Sequence, residues 1–375
     1  MAGLLNNRLT LRALWFVAMG KAFLRYKNPR RRAAGRHHEA FYVRTWHEAA
    51  AEIGASCRQL DGSIHEIELD GVRTLVTENV TAIDDPVMLL VLHDKPLTHR
   101  ILQAEGLSVP KHAAFGLGDL QAALQFLQQT DRDCVVKPAN GTGGGRGVTT
   151  GIRTRWQLAC AAAAAACYSD ELMIEEQIEG TNYRLLYLDG QLLDSFSRKP
   201  PAVAGDGASS IAALVRKHND ERLKSGSGMS QVLLSVDLDM RRTLARQGLS
   251  LRSVPPAGRE ITLKTVINEN CGADNTTATK VLHPSIIEDG ARAARALGAR
   301  FAGVDMVIDD PTVPLAESGG VILEVNGTPN LYYHYNKKDG AFPVAVHLLR
   351  RLLQGQAEER RQSEPAKSVR AAVAV

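Results

Sequence analysis

From Asn140 to Gly147 the chain reads Asn-Gly-Thr-Gly-Gly-Gly-Arg-Gly, with glycines at 141, 143, 144, 145 and 147. So dense a run lets successive backbone N–H groups turn inward on an anion with no Cβ in the way. It is not a P-loop, because that motif puts its lysine after the glycines, whereas Lys137 precedes them here. Nor is it the dinucleotide fingerprint, whose third glycine, counted from Gly141, falls on Arg146. Taken alone, the run also fits a surface turn. Lys137 makes it more pointed: an ammonium buried at the end of Cys134-Val135-Val136 needs an anionic partner.

A second group stands near the other end of the chain. Asp305 lies in Gly303-Val304-Asp305, and Glu324 and Asn326 lie in Ile322-Leu323-Glu324-Val325-Asn326. In a strand, residues i and i+2 share a face, so Glu324 and Asn326 present two hard oxygen ligands together, with Val325 and Ile322 pointing the other way. Asp305, in a neighbouring apolar strand, completes an oxygen-only set. Such a set suits Mg²⁺, which keeps waters and takes further ligands from substrate phosphates. The same residues, viewed alone, also read as an ordinary strand end. The eleven histidines form no HExxH and no cysteine–histidine spacing fits zinc. Lysine, glycine run and oxygen ligands share one logic, phosphoryl transfer from a nucleoside triphosphate.

The elements that must position these residues are legible in outline. Cys134–Lys137 and Leu172–Ile178 read as apolar strands, as do Phe301–Ile308 and Gly320–Asn326. Tyr183–Leu188 and Gln191–Ser197 alternate around Asp189-Gly190, a hairpin signal. Helices are expected at Pro96–Ala104, Asp119–Gln129 and Trp156–Cys167, from Ser209 or Ser210 to about His218, and at Pro284–Leu297. Ser225–Ser230 reads as a mobile loop. Residues 1–92 suggest a small α/β domain. It opens with a helix whose one face carries Leu11, Leu14, Trp15, Ala18 and Ala22 and packs on its own domain, a membrane-surface helix being the alternative. A basic segment, Arg30–His38, follows and reads as a solvated loop, with a role toward an acidic ligand as the alternative, and a hairpin turns at Asp70-Gly71.

The chain has 375 residues, enough for two or three domains. A net charge of +4 is too weak to argue for nucleic acid, and 5% aromatic content disfavours a base-stacking surface. Five scattered cysteines without a CxxC suit a reducing compartment. No apolar run reaches the ~18–20 residues of a membrane span. The expectation is a cytoplasmic protein that binds neither membrane nor nucleic acid and is compatible with homo-oligomers.

The ordered motifs resemble the ATP-grasp superfamily, and within it the amide-forming domain of cyanophycin synthetase and the ligase half of bifunctional glutathione synthetase. The matching stretches run from Asp94-Lys95 through Val135-Val136-Lys137-Pro138, the glycine run and Glu175-Glu-Gln-Ile-Glu-Gly-Thr-Asn-Tyr-Arg184. They continue through Arg198, Gly205-Asp206-Gly207, Gln247-Gly248, Asn268 and His283-Pro284 to Gly303-Val304-Asp305 and Glu324-Val325-Asn326. The resemblance implies an α/β (α+β) ATP-grasp fold behind a small N-terminal α/β domain. Residues 93–355 would be the ATP-grasp domain, with a lid at 139–147, a nucleotide hinge at 174–178 and metal strands at 301–308 and 320–326. Residues 356–375 would form a flexible tail.

It also implies roles. Lys95 and Lys137 would hold ATP phosphates under a lid containing Gly143, Gly144 and Gly145. Glu175, Glu176, Gln177 and Ile178 would meet adenine, and Asn182 the ribose, at a position that is often acidic. Asp305, Glu324 and Asn326 would hold two Mg²⁺ ions, with Mn²⁺ as a substitute. Arg184, Arg198, Lys264 and Asn268 would face the phosphoryl group or a substrate carboxylate. The implied activity joins a small-molecule carboxylate to an amine, of amino acids or small peptides, through an acyl phosphate with release of ADP. Alternatives are a phosphotransferase and a catalytically silent nucleotide-binding module. Where Ser-Thr-Gly-Gly is usual, this chain reads Glu269-Asn270-Cys271-Gly272-Ala273, and Tyr332, Tyr333, His334 and Tyr335 follow the last motif. These departures fall where substrate specificity is expected.

Overall fold

The computed structural model describes residues 8–26, 29–141, 144–224, 233–267 and 269–363. Gly143, Asn268 and the expected loop Ser225–Ser230 lie outside them. Among the described residues every strand pairing is antiparallel, so helix and sheet combine in the α+β manner.

Two units divide the chain, and the smaller is discontinuous, joining Glu39–Ile83 to the segment from Pro343 onward. Its sheet has the order β1 (Ser56–Asp61), β2 (Ile64–Leu69), β3 (Val72–Thr77), β4 (Val80–Thr81). Asp70 and Gly71 both take positive φ, 51° and 77°, which is what a two-residue turn between right-twisted strands demands. Trp46, fully buried, donates from Nε1 to the Glu78 carbonyl at 2.8 Å. Helix Val344–Ser363 packs on β3, with Leu348, Leu349, Leu352 and Leu353 buried.

Three expectations change here. The basic segment Arg30–His38 is no loop but the start of helix Pro29–Glu52. Proline is preorganised for a first helical turn, arginine and alanine are good helix formers, and the single Gly35 costs only about 1 kcal/mol. The boundary expected at residue 92 does not match the division into units, which falls after His38 and after Ile83. The last helix also continues to Ser363, past the expected start of a loose tail at 356.

The larger unit carries three sheets. One holds β5 (His112–Gly116), β6 (Cys134–Pro138), β7 (Thr149–Ile152) and β8 (Glu171–Glu176) in the order β5-β8-β6-β7. The central one is built from β9 (Thr181–Leu188) and β10 (Gln191–Arg198). Beyond the small pair β11 (Ala202–Ala204) and β12 (Glu260–Thr262), it gains β13 (Thr276–Thr277), β14 (Phe301–Ile308) and β15 (Val321–Gly327). Its order is β13-β10-β9-β14-β15. Asp189 and Gly190, at φ 49° and 76°, close the β9–β10 hairpin where the sequence places it.

One face of the central sheet is apolar. Leu185, Tyr187, Val304, Met306 and Ile308 form a core with Ile286, Ala293 and Ala294 of helix Pro284–Ala296. The Tyr187 hydroxyl donates to the Ile287 carbonyl at 2.7 Å, and Gly290 leaves room for that ring. The first sheet is covered by helix Arg155–Ala165, whose start is fixed by a reciprocal Thr154/Gln157 cap. Helix Arg8–Tyr26 lies on this layer, against helix Arg155–Ala165, rather than on the rest of residues 1–92 as expected. Leu11 is buried there and Trp15 Nε1 donates to the Ala166 carbonyl at 3.2 Å.

The strand carrying Glu324 is not regular. Asp305 pairs with Glu324 but Met306 with Ile322, so Leu323 is an extra residue opposite no partner. This β-bulge is why Ile322 and Val325 can both enter the core while Glu324 and Asn326 turn to the other face. Strict alternation would have put Ile322 beside Glu324.

Candidate active site

The polar face of the central sheet holds a row of charges directly opposite one another. Arg184 on β9 faces Asp305 on β14, which faces Glu324 on β15. The Arg184 guanidinium grips Asp305 with both prongs, Nε to Oδ1 at 2.6 Å and Nη2 to Oδ2 at 2.7 Å. Arg198 Nη1 approaches Oδ1 at 3.4 Å, and the Asn326 amide donates to Oδ2 at 3.2 Å. Glu324 Oε1 lies 3.5 Å from Lys95 Nζ. Burial by itself would raise the Asp305 pKa, but the charges of Arg184 and Arg198 outweigh it and hold the carboxyl below its usual range.

Lys137 sits at the end of β6, where Pro138 stops the strand, and its ammonium meets Glu175 Oε1 at 2.7 Å with both side chains buried. The second oxygen, Glu175 Oε2, is buried without a hydrogen-bond partner. A buried acceptor left in this way is open to a donor from a ligand or water. The two clusters are joined through helix Lys95–Ala104. The Lys95 amide donates to the Ala139 carbonyl at 3.0 Å, just before the glycine run. His99 Nε2 meets the carbonyl of the bulged Leu323 at 3.0 Å, and its Nδ1 lies 3.4 Å from His112. Burial, and next the Lys137 charge, push the His99 pKa down to about 3, so the ring is neutral.

Other candidates fall at varied distances from this centre. Gly144 and Gly145 adopt φ 68° and 63°, which only glycine takes without strain. Glu176 turns to Thr130 and Lys111, and Gln177 Oε1 accepts the Gly151 amide at 2.8 Å. Both are thus already engaged within the protein. Ile178 follows β8 half-buried, and Asn182 stands half-buried on β9 opposite Arg198. Lys264, fully buried, does not join the arginines. It is clasped by Asp237 at 2.6 Å and Glu269 at 3.0 Å. Its segment still reaches the centre, because Arg198 Nη2 lies 3.4 Å from the Ile267 carbonyl. Burial would lower the Lys264 pKa, yet Glu269 and Asp237 raise it and keep the charge.

Several participants were given no role by the motifs. Tyr333 is buried beneath Arg198, whose guanidinium stands 5.4 Å from the ring centroid. Asp194, His334 and Lys337 form a buried trio with two contacts of 2.7 Å. Tyr333 and His334 belong to the aromatic segment noted in the sequence, and Asp237 could have been found as a helix cap three residues before Met240.

A metal fits this donor set on chemical grounds. Among the described residues no three His, Cys, Asp or Glu side chains converge on a metal position. Two carboxylates and an amide suit a hard cation that completes its shell from phosphate oxygens and water. Glu324, with its side chain 31% exposed, is more accessible than Asp305 at 15%. Asp305 has both oxygens on Arg184 and must share at least one of them.

No family model matches the chain. Among curated proteins it is 34% identical over 250 residues to the cyanophycin synthetase of Trichormus variabilis, covering 66% of this chain and 27% of that protein. It is 30% identical over 273 residues to the glutathione biosynthesis bifunctional protein GshAB of Pasteurella multocida, covering 71% and 36%. The chain therefore spans about a third or less of the length of these relatives. Among solved structures, the bifunctional glutathione synthetase from Pasteurella multocida superimposes with a TM-score of 0.51 at 25% identity, over 80% of this chain and 42% of that one. With the ordered motifs, the antiparallel sheets and the charge row between them, these likenesses place the chain in the ATP-grasp superfamily.

Proposed function

We propose that the chain is an ATP-dependent carboxylate–amine ligase acting on amino acids or small peptides. A substrate carboxylate oxygen attacks the γ-phosphorus of ATP, ADP leaves, and the acyl phosphate so formed is attacked at carbon by the amine, which expels phosphate. No protein nucleophile is needed, so the protein contributes position and charge. The observation that carries this reading is the row Arg184–Asp305–Glu324–Lys95, with Lys137 close by. It sets cations on both sides of an oxygen-ligand pair, the pattern a transferring phosphoryl group calls for.

In this reading Lys95 and Lys137 neutralise phosphate oxygens, with residues 139–147 over them. Arg184 and Arg198 hold the acceptor carboxylate and then the oxyanion that develops on it, using the planar fork for which arginine is suited. Asp305, Glu324 and Asn326 hold Mg²⁺, which when bound neutralises charge on the phosphate oxygens. Lys264, matched by two carboxylates, supports the substrate side rather than presenting an open charge.

The test supplies ATP, Mg²⁺ and pooled amino acids, with hydroxylamine as a surrogate amine, and resolves the products. ADP with a trapped hydroxamate is the expected outcome. AMP with pyrophosphate would replace the mechanism by adenylation, and ADP with a stable phosphorylated product would make the chain a phosphotransferase. Tight nucleotide binding without turnover in any pool would indicate the silent module.

A further inference from the structure

Strand β15 is an edge of the central sheet, and at Leu323 its pairing with β14 slips by a residue. In a regular strand the backbone groups of successive residues point to opposite edges. Here two successive residues turn to one neighbour, the segment that runs from Lys95 to Ser108. The Ile322 amide donates to the Ser108 carbonyl at 2.8 Å, and His99 Nε2 meets the Leu323 carbonyl at 3.0 Å. The bulge is therefore gripped from outside the sheet at both of its residues.

The ring that makes the second grip has little freedom. His99 is 1% exposed, on the helix whose first turn carries Lys95. A carbonyl can only accept, so Nε2 carries the proton and Nδ1 of the neutral ring is bare. His112 Nδ1 lies 3.1 Å from the Pro110 carbonyl and so carries a proton of its own, which it can share with His99 Nδ1 at 3.4 Å. His112 stands on β5 directly opposite Glu175. One buried imidazole thus links the neighbour of Glu175 to the residue just before Glu324.

We propose that His99 is a positioning residue, which by holding the Leu323 carbonyl fixes the bulge and keeps Glu324 turned toward the cation and the phosphates. This role rests on the Mg²⁺ ligand set proposed above and adds to it a residue that touches neither metal nor substrate. Because side chains alternate with a period of two, moving the extra residue by one position along β15 turns Glu324 to the core face. A buried carbonyl left without its donor favours such a move, since it costs about 1–3 kcal/mol unsatisfied. A ring that only filled space would not depend on which of its atoms carries the proton.

The test reads metal and nucleotide separately on the full chain. Mn²⁺ is followed by its paramagnetic resonance in the presence of ADP, and ADP alone is titrated in chelator. His99→Gln puts an amide N–H where Nε2 stands, His99→Asn puts one only where Nδ1 stands, and His99→Leu has neither. His99→Leu and His99→Asn should weaken Mn²⁺ binding ~10-fold or more, as when a group that orients a metal ligand is lost. Metal-free ADP should bind as it does to the parent, and His99→Gln should recover most of the Mn²⁺ affinity. Thermal midpoints identify the variants that fold, and the asparagine variant carries the same expectation should the leucine one not. Unchanged Mn²⁺ affinity in either of them overturns the proposal, as does an equal loss in all three. A matching loss of metal-free ADP would also overturn it, by placing the ring on the phosphates. A parent that binds ADP but no Mn²⁺ instead removes the ligand set beneath both readings, so the two failures are told apart.

Discussion

Asp305 and Glu324 face each other across two strands, but they will not answer alike to substitution. Asp305 is enclosed by Arg184 and Arg198, so Asp305→Asn strands two buried guanidinium groups, a loss of order 3–5 kcal/mol when a buried pair is broken. Glu324 is half-exposed and its contact with Lys95 is long, in the range where a pair contributes ~0–1 kcal/mol. Glu324→Gln should therefore cut ADP release ~100-fold or more with the thermal midpoint nearly unmoved, whereas Asp305→Asn should lower both. A Glu324→Gln protein that turns over normally would remove this residue from the ligand set. His99 makes a second prediction. Its folded pKa of about 3 lies far below the ~6.5 of an unfolded chain. The unfolded state thus takes up the proton first as pH falls. Stability is full above ~6.5 and declines below it, by up to ~1.4 kcal/mol per pH unit from this group. His218, pushed to about 4 by burial and then by Arg222, adds to the same slope. His99→Gln should flatten the urea midpoint between pH 6.5 and 4, and a profile parallel to the parent's would acquit His99.

Among the elements, the β14–β15 pair has the least room. A Cβ on Gly303 would stand 2.7 Å from Arg184 Nη1 and 3.0 Å from Pro329 Cβ. The ring cannot yield and the guanidinium is tied to Asp305. Gly303→Ala should cost about 1–3 kcal/mol in overpacking and displace Arg184. A fall in both thermal midpoint and ADP release is expected, and unaltered release would show that Arg184 tolerates the shift. Strand limits such as Phe301–Ile308 were legible because apolar runs and turn residues are local signals, and Asp189-Gly190 and Asp70-Gly71 state their own dihedrals. The basic segment misled because charge density says nothing against a helix. The bulge at Leu323 and the clasp of Asp237 and Glu269 on Lys264 were not legible. Neither were Asp194, His334 and Lys337, since partners about 140 residues apart leave no periodicity to read.

For the whole molecule, the glycine run offers a simple check of nucleotide binding. If residues 139–147 close over phosphates, ATP with Mg²⁺ should slow tryptic cleavage at Arg146 several-fold, and equal rates with and without nucleotide would count against a lid. The discontinuous unit bears on a different moment in the protein's life. Trp46, Ile67 and Val76 are made early, but the helix that packs on β3 is translated roughly 260 residues later. At ~5–20 residues per second, those strands spend about 13–50 s outside the ribosome before their covering arrives. During that interval their apolar face is bare and their edges are unguarded. Chaperone capture of nascent chains should therefore concentrate on this early segment, and a message that stops short of codon 343 would leave it permanently exposed to aggregation and proteolysis.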